Sequence, residues 1–417
     1  MAYKTFVTLM LLSLLASSAL VQAPGAAPTA APTKSPASPT PSPTKAATPP
    51  TASAQAPTVA PPVSAPTTSP PASSPSKVTA AAPTGLAPTS SPPAPLGPSA
   101  GVSAGEAAVS EGGGLKLFVF GDSYADTGNF EAVKRPGNPF NYPLGMTWPG
   151  KPAGRPSDGY VLTDILALFL NTSAPPTYSL WEKNSSAAES ELKNGMNFAF
   201  GGSGALTTWE NVTLSVQLRQ FKQLVESMVF TPSDLQDSVA VLSSVGNDWG
   251  YFFAINNRSV VGGEDYMKKV RTSILEFLEE LSEMGIKKVL TNLVITSNIS
   301  VLDNHNKLLK EEIDAFAKRD CMKMVVLDYD NLLDAAKAMY DQEKGNTDDD
   351  CCRLLPQYVS NYTMFCGDKD ESGNKVYTLC QDPAQYFHFS RGHLSHDGWK
   401  KMNTVFLESK ILDPLRS

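Results

Sequence analysis

Between Phe6 and Phe118 the chain contains no phenylalanine, tyrosine or tryptophan. Alanine, proline, serine and threonine make up most of that stretch. A segment without aromatics and with few branched apolar residues cannot bury enough surface to offset its chain entropy, so no core is expected there. A folded core is confined to the part after about Leu115, roughly 300 residues, which suits one large α/β domain. The 417-residue chain also lacks a basic excess: 34 Lys and Arg stand against 41 Asp and Glu, for a net charge of −7. Before residue 111 the only charged residues are Lys4, Lys34, Lys45, Lys77 and Glu106, so the rest carries about −10. An acidic domain excludes nucleic acid as the expected partner, because phosphate binding needs a basic face. After the first two dozen residues no apolar run is long enough to span a bilayer, and the C-terminus has no hydrophobic tail of the kind a lipid-anchor signal needs. Histidine is scarce, and three of the four are His388, His393 and His396. No acidic ligand recurs beside them at helical spacing, so no metal site is expected.

What is present begins with an export signal. Lys4 supplies a basic start, Phe6 to Leu15 is apolar, and Val21-Gln22-Ala23 offers a small-residue cleavage site, so residues 1–23 read as a signal peptide. Residues 24–114 repeat Ala-Pro, Ser-Pro and Thr-Pro, as at Ala31-Pro32, Ser42-Pro43, Thr48-Pro49 and Ser74-Pro75. Proline at this density favours extended polyproline II and blocks helix or sheet, while the hydroxyls beside it are O-glycan candidates. The stretch resembles the glycomodules of plant arabinogalactan proteins and reads as a disordered stalk. Secretion gives meaning to six Asn-x-Ser/Thr acceptors at Asn171, Asn184, Asn211, Asn257, Asn298 and Asn361. It also gives meaning to Cys351, Cys352, Cys366 and Cys380, which crowd into thirty residues and read as one or two disulfides stapling a loop. Their pairing is left open. The fifth, Cys321, lies at a strand edge and is expected to be buried as a free thiol.

From Leu115 the texture alternates. Short apolar runs at 115–120, 239–243, 288–294 and 324–328 read as parallel strands covered on both faces. Between them, 216–229, 266–284, 308–317 and 332–340 show apolar residues at helical spacing. The pattern predicts a doubly wound α/β sheet, whose chemistry collects at the C-terminal strand ends.

The motifs fall at those ends. Gly121-Asp122-Ser123 follows the first strand directly. It is followed by Gly154-Arg155-Pro156-Ser157-Asp158-Gly159, by a glycine-rich block from Gly195 to Gly204, by Gly246-Asn247-Asp248 and finally by Gly392-His393. Together, and in this order, these blocks resemble the plant GDSL esterase/lipase family of the SGNH hydrolase superfamily, over about Leu117 to Phe406. The proline-rich leader is similar to that of the anther-specific proline-rich proteins of the family. The resemblance implies a three-layer α/β/α, flavodoxin-like domain over 115–417 that hydrolyses carboxylic esters without metal or cofactor. It implies Ser123 as nucleophile and His393 as general base. It implies an oxyanion hole from the Ser123 and Gly202 amides and the Asn247 side chain, with Gly201 in place of Gly202 if the block is shifted by one. The expected substrate is an acyl or acetyl ester of a lipid or wall polysaccharide, met outside the cell in the wall, by a monomer.

One position departs from the family pattern. Three residues before the catalytic His, where the family carries Asp, this chain has Ser390. A carboxylate there orients the imidazole and stabilises its protonated form, and a carboxylate-to-neutral change in a serine protease costs about 10⁴ in turnover. Asp382, Asp397 or a backbone carbonyl are the candidate substitutes, with Asp397 poorly placed. The competing expectation is an impaired hydrolase fold retained as a wall glycoprotein with a binding or structural role.

Overall fold

The computed structural model describes residues 115–130, 142–345, 349–359 and 364–416. The expected signal peptide, the expected stalk and Asn361 lie outside the described residues. Strand β1, Lys116–Gly121, is Lys-Leu-Phe-Val-Phe-Gly. Its β-branched and aromatic residues favour the extended state, and its alternation sends Leu117 and Val119 to one face and Phe118 and Phe120 to the other. All four are fully buried. Each contributes roughly 2 kcal/mol by leaving water.

Strand β2, Gly195–Asn197, pairs parallel with one edge of β1, and β3, Ser238–Ser243, pairs parallel with the other. Strands β4, Lys288–Asn292, and β5, Lys323–Leu327, continue the sheet in the order β2-β1-β3-β4-β5. This is a parallel, doubly wound order of the flavodoxin type. Helices cover both faces. Helix α1 (Leu162–Phe169) packs with Leu117 and Val119. Helix α2 (Leu214–Glu226), α4 (Gly263–Glu283) and α5 (Ser300–Arg319) pack with Phe118 and Phe120, and α3 (Asn247–Ile255) lies on the same side. Helix α6 (Tyr329–Lys344) and α7 (His396–Ser409) join α1. Helix α2 shows the rule at work: Leu214, Leu218, Phe221 and Leu224 recur every three or four residues and are buried.

After α6 the chain leaves the sheet. Strands β6 (Cys352–Leu354) and β7 (Tyr377–Leu379) form an antiparallel pair, and β8 (His388–Ser390) and β9 (His393–Leu394) another. The excursion is stapled by two disulfides, Cys351–Cys380 and Cys352–Cys366. Cys321 is the free thiol, but it is exposed rather than buried. It follows the C-cap of α5 with φ of 54°, a left-handed turn position at the surface. No described helix is long and apolar enough to cross a membrane.

Candidate active site

The site stands at the C-terminal ends of β1, β2 and β3. The nucleophile turn follows Gly121, where β1 passes so close to β3 that an added Cβ would lie 1.9 Å from the Ser243 carbonyl oxygen. With φ at 121°, only glycine fits. The turn is then tied down by Asp122. Its buried carboxylate accepts from the Ser243 hydroxyl (2.9 Å) and from the amides of Val245 (2.7 Å) and Tyr124 (3.2 Å). Ser123, held between these anchors, keeps partial access to solvent.

The second anchor is Asp126, which takes four backbone amides: Gly128 and Asn129 at 2.7 Å, Phe130 at 3.0 Å and Gly201 at 2.9 Å. The third is Asp248, which takes Ala205 (2.8 Å) and Leu206 (2.9 Å) and so fixes the loop after β2. Burial pushes all three carboxyls up to about 6, against the pull of the amides they accept from. Gln217 completes the frame. Its amide donates to the Gly121 carbonyl and the Ser203 hydroxyl, both at 2.9 Å, and accepts from Gly121 at 2.7 Å.

These anchors also claim some of the candidate donors. The Gly201 amide donates to Asp126 at 2.9 Å. Among the described residues, the Ser123 and Gly202 amides donate to no protein acceptor. Asn247 donates one Nδ2 hydrogen to the Ser203 carbonyl at 2.9 Å, which orients the side chain and leaves the second hydrogen for another acceptor.

The imidazole arrives from the far end of the chain. His393 Nε2 lies 2.7 Å from Ser123 Oγ. Its Nδ1 lies 3.1 Å from the backbone carbonyl oxygen of Ser390. A carbonyl only accepts, so Nδ1 carries the proton and Nε2 is left as the acceptor for the Ser123 hydroxyl. The Ser390 hydroxyl turns away and lies 3.3 Å from Cys366 Sγ, a disulfide sulfur that has no proton to give. Asp382 instead accepts from Ala384 and Gln385, and Asp397 from Lys400. Of the three candidate substitutes for the family's Asp, the backbone carbonyl is the one in contact. Burial lowers the His393 pKa to about 4, and the Arg391 charge adds to this, while the Ser390 carbonyl pulls the other way. The Tyr124 hydroxyl donates to the Gly392 carbonyl at 2.7 Å and so ties the nucleophile turn to the imidazole turn. From the Gly154–Gly159 block, Asp158 accepts the His396 amide at 2.8 Å, and Arg155 is bonded twice to Asp164 at 3.0 and 3.1 Å.

Other expected residues fall elsewhere. His388 is buried, and His396 accepts from the Tyr160 amide at 3.3 Å. No cluster of His, Cys, Asp and Glu among the described residues could hold a metal. Five glycosylation acceptors, Asn171, Asn184, Asn211, Asn257 and Asn298, are exposed.

A hydroxyl in contact with an imidazole at the strand ends is the equipment of acyl transfer. Comparison with known proteins gives the same class. The GDSL-like lipase/acylhydrolase family matches residues 117–402. This chain belongs to that family. A GDSL esterase/lipase of Arabidopsis thaliana is 35% identical over 70% of this chain and 86% of its own length. Two further Arabidopsis thaliana GDSL esterase/lipases are 32% and 31% identical, each over 70% of this chain and 86% of their own length. Membership makes the GDSL protein an ester hydrolase. A second family, described as classical arabinogalactan protein, matches residues 2–124.

Several residues that build the GDSL site had no assigned role from sequence. Asp122, Asp126 and Asp248 stand inside the motif blocks but look there like ordinary turn residues. Gln217 had a usable signal: it is a polar residue between Leu214 and Leu218 on the apolar face of α2, and it is completely buried. Tyr124 carried none, because its partner is 268 residues away.

Proposed function

We propose that the chain is a secreted carboxylic-ester hydrolase in which Ser123 attacks the ester carbonyl and His393 is the general base. In this reading residues 1–23 are removed on export, 24–114 form an O-glycosylated stalk, and 115–417 are the catalytic domain, acting in the cell wall. The observation that carries the reading is the 2.7 Å contact between Ser123 Oγ and His393 Nε2.

As the Ser123 oxygen bonds to the carbonyl carbon, its proton passes to Nε2, and the carbonyl electron pair moves onto oxygen. The Ser123 and Gly202 amides and Asn247 Nδ2 receive that oxyanion. Donors of this kind are worth several kcal/mol because they are fixed before charge develops. Collapse of the adduct expels the alkoxide, which takes the proton from Nε2 and leaves as alcohol. Water then attacks the acyl-enzyme by the same route and releases the acid. The substrate class is an acyl or acetyl ester of a lipid or wall polysaccharide.

Ser390 does not remove the acceptor that the base needs. In a serine protease, changing the carboxylate to an amide costs about 10⁴ chiefly by favouring the wrong tautomer. A carbonyl cannot donate, so here the tautomer is retained and the penalty is smaller. The neutral partner nevertheless favours a second reading, a hydrolase fold with impaired turnover that serves as a wall glycoprotein. A serine-directed fluorophosphonate separates the two. Labelling of the wild type that disappears in Ser123→Ala supports the hydrolase. Labelling that is absent in the wild type and appears in Ser390→Asp overturns it.

A further inference from the structure

Resting on that reading, we infer that Asp350 is the positioning residue that replaces the missing carboxylate, acting on His393 through the single peptide group between residues 390 and 391. The carbonyl of that peptide is the Ser390 oxygen facing His393 Nδ1 at 3.1 Å. Its N–H is the Arg391 amide, which donates to Asp350 Oδ2 at 2.7 Å. One amide plane therefore accepts from the imidazole at one end and donates to a carboxylate at the other. The chain of contacts runs from Ser123 Oγ through His393, the 390–391 peptide and Asp350.

An amide is polarisable, and hydrogen bonds in series strengthen one another. A negative charge at the N–H end drives electron density towards the carbonyl oxygen, which makes it a better partner for an imidazolium. The direct field acts in the same sense. Asp350 Oδ2 is no more than about 8 Å from Nδ1, given standard amide dimensions. At an effective dielectric of about 20, a unit charge at that distance moves a pKa by about one and a half units.

The surroundings of Asp350 fit this role. Its second oxygen, Oδ1, is buried and has no hydrogen-bond partner among the described residues. The segment lies beside β8 through an isolated bridge between Asp350 and His388 and through the Cys351 amide bonded to the His388 carbonyl. Arg391, which closes the relay, sits in the left-handed region at φ 49°, a conformation that the turn must hold against local preference. The charged and titratable groups facing Asp350 are Asp349 and Arg353 on its own segment, and Arg391 and His388 on the β8–β9 hairpin. Burial, aided by Asp349, raises its carboxyl to about 6, while the Arg391 amide and the two arginines oppose this. The relay is therefore charged above about pH 6 and neutral below it.

The test is Asp350→Asn in the full secreted chain. The amide oxygen still accepts from Arg391, so a purely structural role is preserved while the charge is removed. Wild-type kcat is expected to rise several-fold between pH 5 and 7.5, with a midpoint near 6. In Asp350→Asn that step disappears, kcat at pH 7.5 falls about tenfold, and KM is unchanged. A variant that keeps kcat within about twofold, or that loses activity only through KM, overturns the relay. A second readout is independent of turnover. In Ser123→Ala protein the imidazole of His393, one of four histidines and assignable by difference from His393→Gln, is titrated by NMR. With Asp350 present its shifts step near pH 6 as that carboxyl ionises, well above the imidazole's own titration near 4; Asp350→Asn removes the step, and a curve that lacks it in Ser123→Ala protein overturns the relay. If the step near pH 6 is present but neither wild type nor variant hydrolyses any ester, the relay stands and the hydrolase reading fails. Should the substitution unfold the domain, the His393 signals of Ser123→Ala protein decide. A second step as Asp350 ionises supports the relay, and a single-step curve sinks it.

Discussion

Replacing Asn247 by Ala removes one donor from the proposed oxyanion cradle and leaves Ser123, His393 and two backbone amides in place. One Nδ2 hydrogen is held by the Ser203 carbonyl at 2.9 Å, and only the other is available to the reacting oxygen. The catalytic cost is the loss of a pre-aimed donor, about 10²–10³ in kcat or about 2.7–4 kcal/mol. The structural cost is one hydrogen bond to Ser203, about 1 kcal/mol, and Ala in the first turn of α3 recovers part of it through helix propensity. The expected result is therefore a fall in kcat of at least about a hundredfold with KM and melting temperature nearly unchanged. Initial rates on short-chain esters, with the released alcohol quantified by chromatography, give kcat and KM. The fluorophosphonate labelling rate is an independent check, because the tetrahedral phosphorus places an oxygen in the same cradle, and it should fall in parallel. A kcat within about threefold of wild type, or a loss confined to KM, would refute the assignment of Asn247 as a transition-state donor.

Three other outcomes follow from the geometry. His393 must be neutral at Nε2 to accept a proton, and its pKa is lowered to about 4, so the acid limb of kcat/KM that abolishes activity should lie near pH 4; a limb near 6.5 would contradict the burial. Gly121→Ala forces a Cβ to within 1.9 Å of the Ser243 carbonyl at φ 121°, so it should cost more than about 4 kcal/mol in denaturant melts, and a soluble variant of wild-type stability would show that β1 and β3 do not approach so closely. Replacing both Cys352 and Cys366 by Ser opens a loop of 14 residues, for a loss of about 3 kcal/mol and several degrees in melting temperature; an unchanged melt would mean that the loop is held without the bridge.

The sheet was legible because its signals are local. Leu117 to Phe120 cannot be solvated on either face, and a run of that kind is a strand covered twice. The four candidate site residues, Ser123, Gly202, Asn247 and His393, stood out for another reason: the family resemblance implied them, in blocks whose glycines mark turns near strand ends. What escaped was the framework holding them. Asp126 meets Gly201, and Gln217 meets Gly121, across 75 and 96 residues. Such partners are chosen by topology, and nothing in the local pattern points to them. Cys321 was misjudged for a related reason, since its strand-edge position in sequence becomes an exposed turn in space. Asp350 was hidden deepest. It stands in a run of three aspartates next to a cystine, where a solvated acidic turn is the ordinary expectation.

The sheet order has a consequence for how this architecture can diversify. Ser123, Gly202 and Asn247 leave three strands that lie side by side, β1 flanked by β2 and β3. The strands that carry the proposed carbonyl cradle are thus spaced by the lateral pitch of hydrogen-bonded strands, about 4.8 Å, a dimension no side-chain substitution can alter. Surface loops around the cleft are free to lengthen, shorten and change composition without disturbing that gauge. Selectivity can drift from one ester to another while the bond-breaking gear stays in calibration.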